Sequence, residues 1–309
     1  MYNGVLNIYK EKGYTSHDVV AKLRGILKQK KIGHTGTLDP EAEGVLPVCL
    51  GAGTKLCDML TDKDKEYVAQ VRLGIMTDTQ DMTGEILKES PVSVSEENVR
   101  DAVLSFVGEQ LQIPPMYSAL KVGGQRLYEL ARKGQEVERK ARPITIREIE
   151  ITAIDLPEFT MRVVCSKGTY IRTLCHDIGE KLGCHGCMKS LLRTRVSSFS
   201  LSEAFRLSDI EQLRDEERLA EVIIPIDRIF SEYPKCVIKR EFVRLIENGN
   251  KFYVNHIEAF DRDGCRLVGS MFAESEQIRV YDADGRFYGI YRFDQRQDGF
   301  VPVKMFLER

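Results

Sequence analysis

Lys31-Ile-Gly-His-Thr-Gly-Thr-Leu-Asp-Pro40 is the stretch of this chain on which the reading of the fold turns. Two glycines, a histidine, two threonines and an aspartate share it. A segment this polar reads as an ordered loop over residues 33–44, because its hydroxyl and carboxylate groups can satisfy backbone that no regular element would. Two readings of the loop stand. In one, Thr35, Thr37 and Asp39 only bond to nearby N–H groups while Pro40 stiffens the turn. In the other, Asp39 is a nucleophile, aimed because a proline holds the residue before it in extended conformations.

The flanks supply strands and helices. Residues 5–9 alternate as a strand, and Ser16 is placed to cap a helix carrying Val19, Val20, Leu23, Ile26 and Leu27 at helical spacing. An apolar strand at 45–50 follows the loop and residues 67–73 alternate again. Ser95 caps a helix through Val107, and residues 144–154 and 160–165 supply further strands. The order is not a regular strand–helix–strand repeat, so the expected class is α+β with a mixed, mostly antiparallel sheet. Residues 113–142 are a basic excursion containing Pro114-Pro115 and Gly123-Gly124, the profile of a long functional loop with a short helix at 127–132. The pattern changes near 225–234. Beyond it come a short helix at 241–247 and a hairpin over 277–293 closed by Asp284-Gly285, as in a small β-rich module. The expected domains are residues 1–232 and 233–309.

Composition bounds the class. The 309 residues are 42% hydrophobic and 30% charged, the balance of a soluble globular protein. No apolar run approaches the roughly 20 residues that span a bilayer. The N-terminus lacks a basic head followed by a long apolar stretch, so a cytoplasmic protein with no membrane association is expected. Eight scattered cysteines fit reduced thiols. Net charge is only -2, yet charge is segregated: residues 10–31 hold seven Lys/Arg against two acids, and residues 58–101 eleven acids against five bases. Basic blocks of this kind form either one phosphate-binding face or merely solvated surface. Cys184-His-Gly-Cys187, near His176, has no second cysteine pair, and His256-Ile-Glu258 lies on the wrong side of it for a zinc deaminase. Two buried thiols and no metal are expected.

Gly33-His-Thr-Gly-Thr-Leu-Asp-Pro40 resembles the signature of the TruB family of bacterial tRNA pseudouridine-55 synthases residue for residue. The resemblance continues through Leu6-Asn-Ile-Tyr-Lys-Glu-Lys-Gly-Tyr-Thr-Ser16, Glu66-Tyr67, Pro114-Pro-Met-Tyr-Ser-Ala-Leu-Lys121, Arg126-Leu-Tyr-Glu-Leu-Ala-Arg132 and Ser166-Lys-Gly-Thr-Tyr-Ile-Arg-Thr-Leu174. It implies a pseudouridine-synthase fold. It also implies an isomerase that flips a uridine out of the T stem-loop of tRNA, breaks its N-glycosidic bond, turns the base and joins C5 to the sugar. No cofactor is implied. Asp39 takes the nucleophile's role, with attack at C1′ or at C6 both open, and Arg172 pairs with it. Tyr67 stacks on the base and is a candidate proton acceptor, Leu191 lines the base pocket, and His34 fills the stack that the flipped base vacates. Tyr170, two residues before Arg172, is expected on the same side of an extended segment, and Lys10 and Lys121 are expected to contact RNA. Glu11 departs from the family, which has proline there.

Residues 233–309 resemble a PUA-like module, chiefly at Arg279-Val-Tyr-Asp-Ala-Asp-Gly-Arg286 and Phe300-Val-Pro-Val-Lys-Met-Phe306. Such a module would extend the footprint through backbone contacts. The implied partner is tRNA, bound by a monomer with no obligate protein partner. The competing expectation is a non-catalytic tRNA-folding factor using the same surface. The joint presence of Asp39, Tyr67 and Arg172 separates the two, since binding alone needs none of them in that combination.

Overall fold

Alternating apolar residues at the start of the chain form β1 (Gly4–Lys10), whose Leu6 and Ile8 are fully buried. The computed structural model describes residues 1–260, 266–267 and 272–307. Helix α1 (Ser16–Leu27) follows, and Thr15 caps it rather than Ser16. Thr15 Oγ1 accepts from the Asp18 N–H at 3.0 Å, and the Asp18 carboxylate accepts from the Thr15 N–H at 2.8 Å. Next come β2 (Ile32–His34), β3 (Glu43–Leu50), α2 (Cys57–Thr61) and β4 (Lys65–Leu73). The first part of the expected loop is therefore a short strand, paired antiparallel with β3. A small hairpin of β5 (Ile75–Thr77) and β6 (Ile86–Glu89) leads to α3 (Glu96–Leu104), capped by Ser95 as expected. That helix stops before Val107, because turns close at Phe106 and Val107 and Gly108 takes φ +103°.

Strand β7 (Gly108–Gln112), the hairpin of β8 (Lys121–Val122) and β9 (Gln125–Arg126), and α4 (Leu127–Ala131) carry the basic excursion. Strands β10 (Arg142–Asp155) and β11 (Glu158–Cys165), helix α5 (Ile171–Lys181), strands β12 (Gly186–Val196) and β13 (Phe199–Ser200), and helix α6 (Leu207–Asp215) complete this part. The sheet runs β1-β3-β12-β4-β11-β10-β7. Its pairs are antiparallel except β3 with β12, the mixed, mostly antiparallel arrangement expected. Helices α3 and α5 cover one face through Val99, Val103, Leu174 and Ile178, packed on Ala69, Val71, Met161 and Val163. Helices α1 and α6 cover β1 and β3.

A second sheet holds β14 (Lys235–Ile238), β15 (Ile257–Phe260), β16 (Arg266–Leu267), β17 (Gln277–Tyr281), β18 (Phe287–Asp294) and β19 (Gly299–Met305), with helix α7 (Val243–Glu247) after β14. Strands β17 and β18 form the expected hairpin, with Gly285 at φ +83° in its turn. The two sheets share a core: Ile290 of β18 and Phe306, just after β19, pack in one cluster with Val5 of β1, Val45 of β3 and Phe230. Lys55 Nζ donates to the Met305 carbonyl at 2.7 Å, and Tyr281 Oη to Asp227 at 2.8 Å.

The seven cysteines among the described residues are free thiols, and Cys265 lies outside the described residues. No described helix is long and apolar enough to cross a membrane. Since Phe306 stacks against Phe287 inside the shared cluster, Phe306→Ala should remove about 3–5 kcal/mol of stability. Urea titration followed by fluorescence and by circular dichroism should show one coincident transition at lower urea. Two separated transitions would show that the sheets unfold independently.

Candidate active site

The loop after β2 is tied down at both ends. Thr35, fully buried, donates both its N–H and its hydroxyl to the Pro47 carbonyl, at 3.1 and 3.2 Å. Ser16, freed from capping, accepts from the Leu38 N–H at 2.9 Å. The Pro40 carbonyl accepts from Lys10 Nζ at 3.0 Å and from the Gly13 N–H at 2.9 Å. Asp39 is thus held between two anchored neighbours. Its carboxylate reaches Arg172 in the first turn of α5 instead of the local backbone N–H groups.

The contact is a two-pronged fork. Arg172 Nε lies 2.9 Å from Asp39 Oδ2, and Nη2 donates to Oδ1 at 3.2 Å. The same guanidinium donates to the Thr79 carbonyl at 2.9 Å and the Tyr117 carbonyl at 2.7 Å, and stands 3.8 Å from Asp81 Oδ2. Arg172 is 6% exposed, whereas the Asp39 side chain keeps 37% of its surface open. Burial pushes the Asp39 carboxyl above the usual carboxylate range; Arg172 opposes that and Asp81 reinforces it.

Tyr170 immediately precedes α5 and is not two steps along an extended segment from Arg172, because the helix begins at Ile171. Buried Gln112 sets its backbone, donating to the Tyr170 carbonyl at 3.0 Å and accepting from its N–H at 2.8 Å. Tyr170 and Arg172 still line one pocket of about 370 Å³ with Asp39, Tyr67 and Leu191. Strand β4 alternates strictly, so Tyr67 faces inward; Leu191 on β12 lies opposite Ala69 and faces the same way. Ser118 and Leu120, from the basic excursion, close the pocket from above.

The other expected site residues lie apart. His34 sits half-buried on β2 opposite Val48, outside the pocket lining, and burial lowers its pKa so that the ring is neutral near pH 7. Lys121 is exposed on the β8–β9 hairpin. Lys10, expected on the RNA side, is instead fully buried beneath the loop, because its ammonium holds the Glu11 and Pro40 carbonyls. Glu11 itself turns outward to Arg206. Cys184 and Cys187 are buried, and the described residues contain no group of three or more His, Cys, Asp or Glu side chains placed to hold a metal.

Residues 24–171 match the family described as TruB family pseudouridylate synthase, N-terminal domain, and residues 172–231 match the tRNA pseudouridylate synthase B C-terminal domain. The tRNA pseudouridine synthase B of Lachnoclostridium phytofermentans is 52% identical over 99% of this chain and 100% of its own length. This chain belongs to the TruB family. The Alkaliphilus oremlandii relative of the same name is 45% identical over 94% of this chain and 98% of its own. Among solved structures, a chain of a Cbf5–Nop10–Gar1 complex aligns with a TM-score of 0.72 at 27% identity, covering 99% of this chain and 85% of that one. A chain of an H/ACA RNP bound to a substrate RNA containing 2′-deoxyuridine aligns at 0.71 and 25%, covering 99% and 86%. The fold is that of pseudouridine synthases.

Sequence reading missed two residues that line this pocket, Lys65 and Arg193, and two that support its walls, Asp81 beside Arg172 and Gln112 on the Tyr170 backbone. Only Lys65 left a signal, since it stands two positions before Tyr67 and shares its face of an alternating strand. Gly44 is the backbone reason Arg193 reaches the pocket. At φ +106° it pairs with Arg193 so closely that a Cβ would lie 2.2 Å from the Arg193 carbonyl.

Burial lowers the Lys10 pKa from 10.5 to about 8, with Glu43 and Asp39 pulling the other way. Between those values the unfolded chain binds the extra proton, so the Lys10 contribution to stability rises with pH through that window and is flat below it. Lys65 is shifted to the same value. Lys10→Met should therefore reduce, without abolishing, the rise in denaturant midpoint from pH 8 to 10.5. An unchanged slope would mean that Lys10 is not charged and buried.

Proposed function

We propose that this chain converts uridine-55 in the T arm of tRNA to pseudouridine, with Asp39 as nucleophile and no cofactor, as a cytoplasmic monomer. The observation that carries the reading is the Asp39–Arg172 fork at the mouth of a pocket walled by Tyr67, Tyr170 and Leu191. A carboxylate serves as nucleophile when it is ionised and aimed, and the guanidinium favours both by its positive charge and by donating to both oxygens of Asp39. Flat aromatic and apolar walls suit a uracil ring extruded from its stack, a step that costs a few kcal/mol and needs such a receptacle. The names of the curated relatives, tRNA pseudouridine synthase B, supply the substrate class.

In this reading Tyr67 stacks on the base and its hydroxyl is the candidate for handling the C5 proton. Burial pushes that phenol up, so it enters the reaction protonated and must pass its own proton on as it takes the one from C5. His34, outside the pocket lining and uncharged, takes in this reading the role of stacking in the vacated place. Lys121 on the exposed hairpin meets phosphate, whereas Lys10 positions Pro40 and hence Asp39. The domains divide at residues 232 and 233, and the PUA-like sheet adds backbone contacts to the RNA.

The test is release of tritium from tRNA transcripts labelled at C5 of uridine. Wild type should release it, a transcript with cytidine at position 55 should not, and Asp39→Asn should lose on the order of 10⁴-fold or more in rate while tRNA affinity stays within about threefold. Full turnover by Asp39→Asn would remove the nucleophile assignment. Tight binding with no release by wild type would leave the folding-factor alternative. Because the Asp39 pKa is raised, the ionised form is lost at a higher pH than for a free side chain. The acid limb of kcat/KM should lie above the ordinary aspartate value of about 3.9, and Arg172→Met should move it higher still.

A further inference from the structure

Two cations in the base pocket have no counter-ion. Lys65, 6% exposed, and Arg193, 1% exposed, both line it. Lys65 Nζ donates to the Thr61 and Lys63 carbonyls at 2.5 and 2.7 Å, leaving one of its three N–H groups. Arg193 donates to the Val45 carbonyl at 2.7 Å and the Gly36 carbonyl at 3.4 Å. Among the described residues neither makes an ion pair, and the carboxylate that lines the pocket, Asp39, is held by Arg172. Burying an ammonium and a guanidinium side by side without an anion is strongly unfavourable. A fold retains such charge where a negative one arrives with the substrate. The strand pattern explains how they meet: β4 puts Lys65 and Tyr67 on one face, and β12 sets Arg193 opposite Tyr67.

We propose that Lys65 and Arg193 are catalytic residues that stabilise the negative charge developing on the uracil ring as its bond to the sugar breaks. This rests on the isomerase reading above. When N1–C1′ cleaves, its electron pair leaves with the base, and the ring carries the charge over N1, O2 and O4. The Asp39 carboxylate meets the electron deficiency at C1′. Bond formation from C5 to C1′ then frees Asp39, C5 loses its proton and N1 gains one, so the overall change is an isomerisation. Had Asp39 first added at C6, the charge would appear on O4 of the same ring, and the two cations would serve equally.

The charge state fits. Burial and Arg193 push the Lys65 amine down to about 8, against the opposing pull of Cys165, Asp62 and Asp64, so the ammonium form is present at neutral pH and lost above about 8. Tyr67, also facing it, is pushed up and stays neutral.

The experiment compares single-turnover consumption of the target nucleoside in tRNA carrying uridine or 5-fluorouridine there, for wild type and Lys65→Met, by digestion and mass analysis. The fluorinated ring is more acidic, so its anion needs less help. On uridine Lys65→Met should lose about 10²- to 10³-fold, and on 5-fluorouridine at least about tenfold less. Affinity for tRNA should stay within about threefold, and the fall in wild-type rate above pH 8 should be absent from the variant. The ratio between substrates is read on one preparation, so a misfolded fraction cancels. Equal loss on both substrates, or no loss, would overturn the proposal and leave Lys65 as a pin for residues 61–63. Wild type inert toward uridine would remove the isomerase reading itself.

Discussion

One half-buried ion pair organises this molecule. Asp39 and Arg172 are 133 positions apart, and the guanidinium between them also holds the carbonyls of Thr79 and Tyr117. Four segments that share no local sequence relation converge on one planar group. A guanidinium is suited to this because its donors lie in one plane at fixed angles, and satisfying several acceptors at once fixes their mutual geometry. The pair is weak as a source of net stability, since desolvating both ions offsets much of their attraction. Its importance is positional: loss of either member leaves the other uncompensated, and the loop, the β5–β6 hairpin and the basic excursion lose their common point.

The supports of that pair are recruited from the first strand and helix. Lys10 at the end of β1 and Ser16 at the start of α1 hold the two neighbours of Asp39, and both are buried to do it. A carboxylate positioned this way would need little reorganisation to serve in the proposed role of nucleophile. The raised pKa of Asp39 is the accompanying cost: the enclosure that aims the carboxylate also disfavours its charge, and Arg172 returns only part of it.

Much of the frame was legible in the chain because periodicity is a local property. Strand β4 alternates without a break and was found, and so was the helix after Ser95. Strand β2, at three residues, is too short to show a period, and β12 carries two register shifts that break its alternation. The cap of α1 was legible but misassigned: Asp18 stands three residues after Thr15, as a capping box requires, whereas Val19 stands three after Ser16. Of the residues that a motif resemblance marked, Asp39, Tyr67, Tyr170, Arg172 and Leu191 line one pocket. The carbonyl partners of Arg172 were not legible, since a backbone acceptor leaves no trace in residue type. Lys10 was expected to contact RNA from the resemblance, and the tertiary demand of the Pro40 carbonyl, which buries a residue type seldom found inside, leaves no trace in the sequence.

The second sheet bears on the pocket through packing. Phe306 and Ile290 belong to the cluster that contains Val45, and the Val45 carbonyl is the closest acceptor of the buried Arg193 guanidinium. Close-packed interiors transmit displacement rather than absorb it. A shift of β18 or β19 would therefore press on β3 and, through it, on the wall of the pocket beside Asp39. With the two sheets sharing one core, the angle between their surfaces is set by the protein. Under the proposed function, an RNA that touches both must accommodate that angle, so shape as well as charge would select what can place a nucleotide beside Asp39.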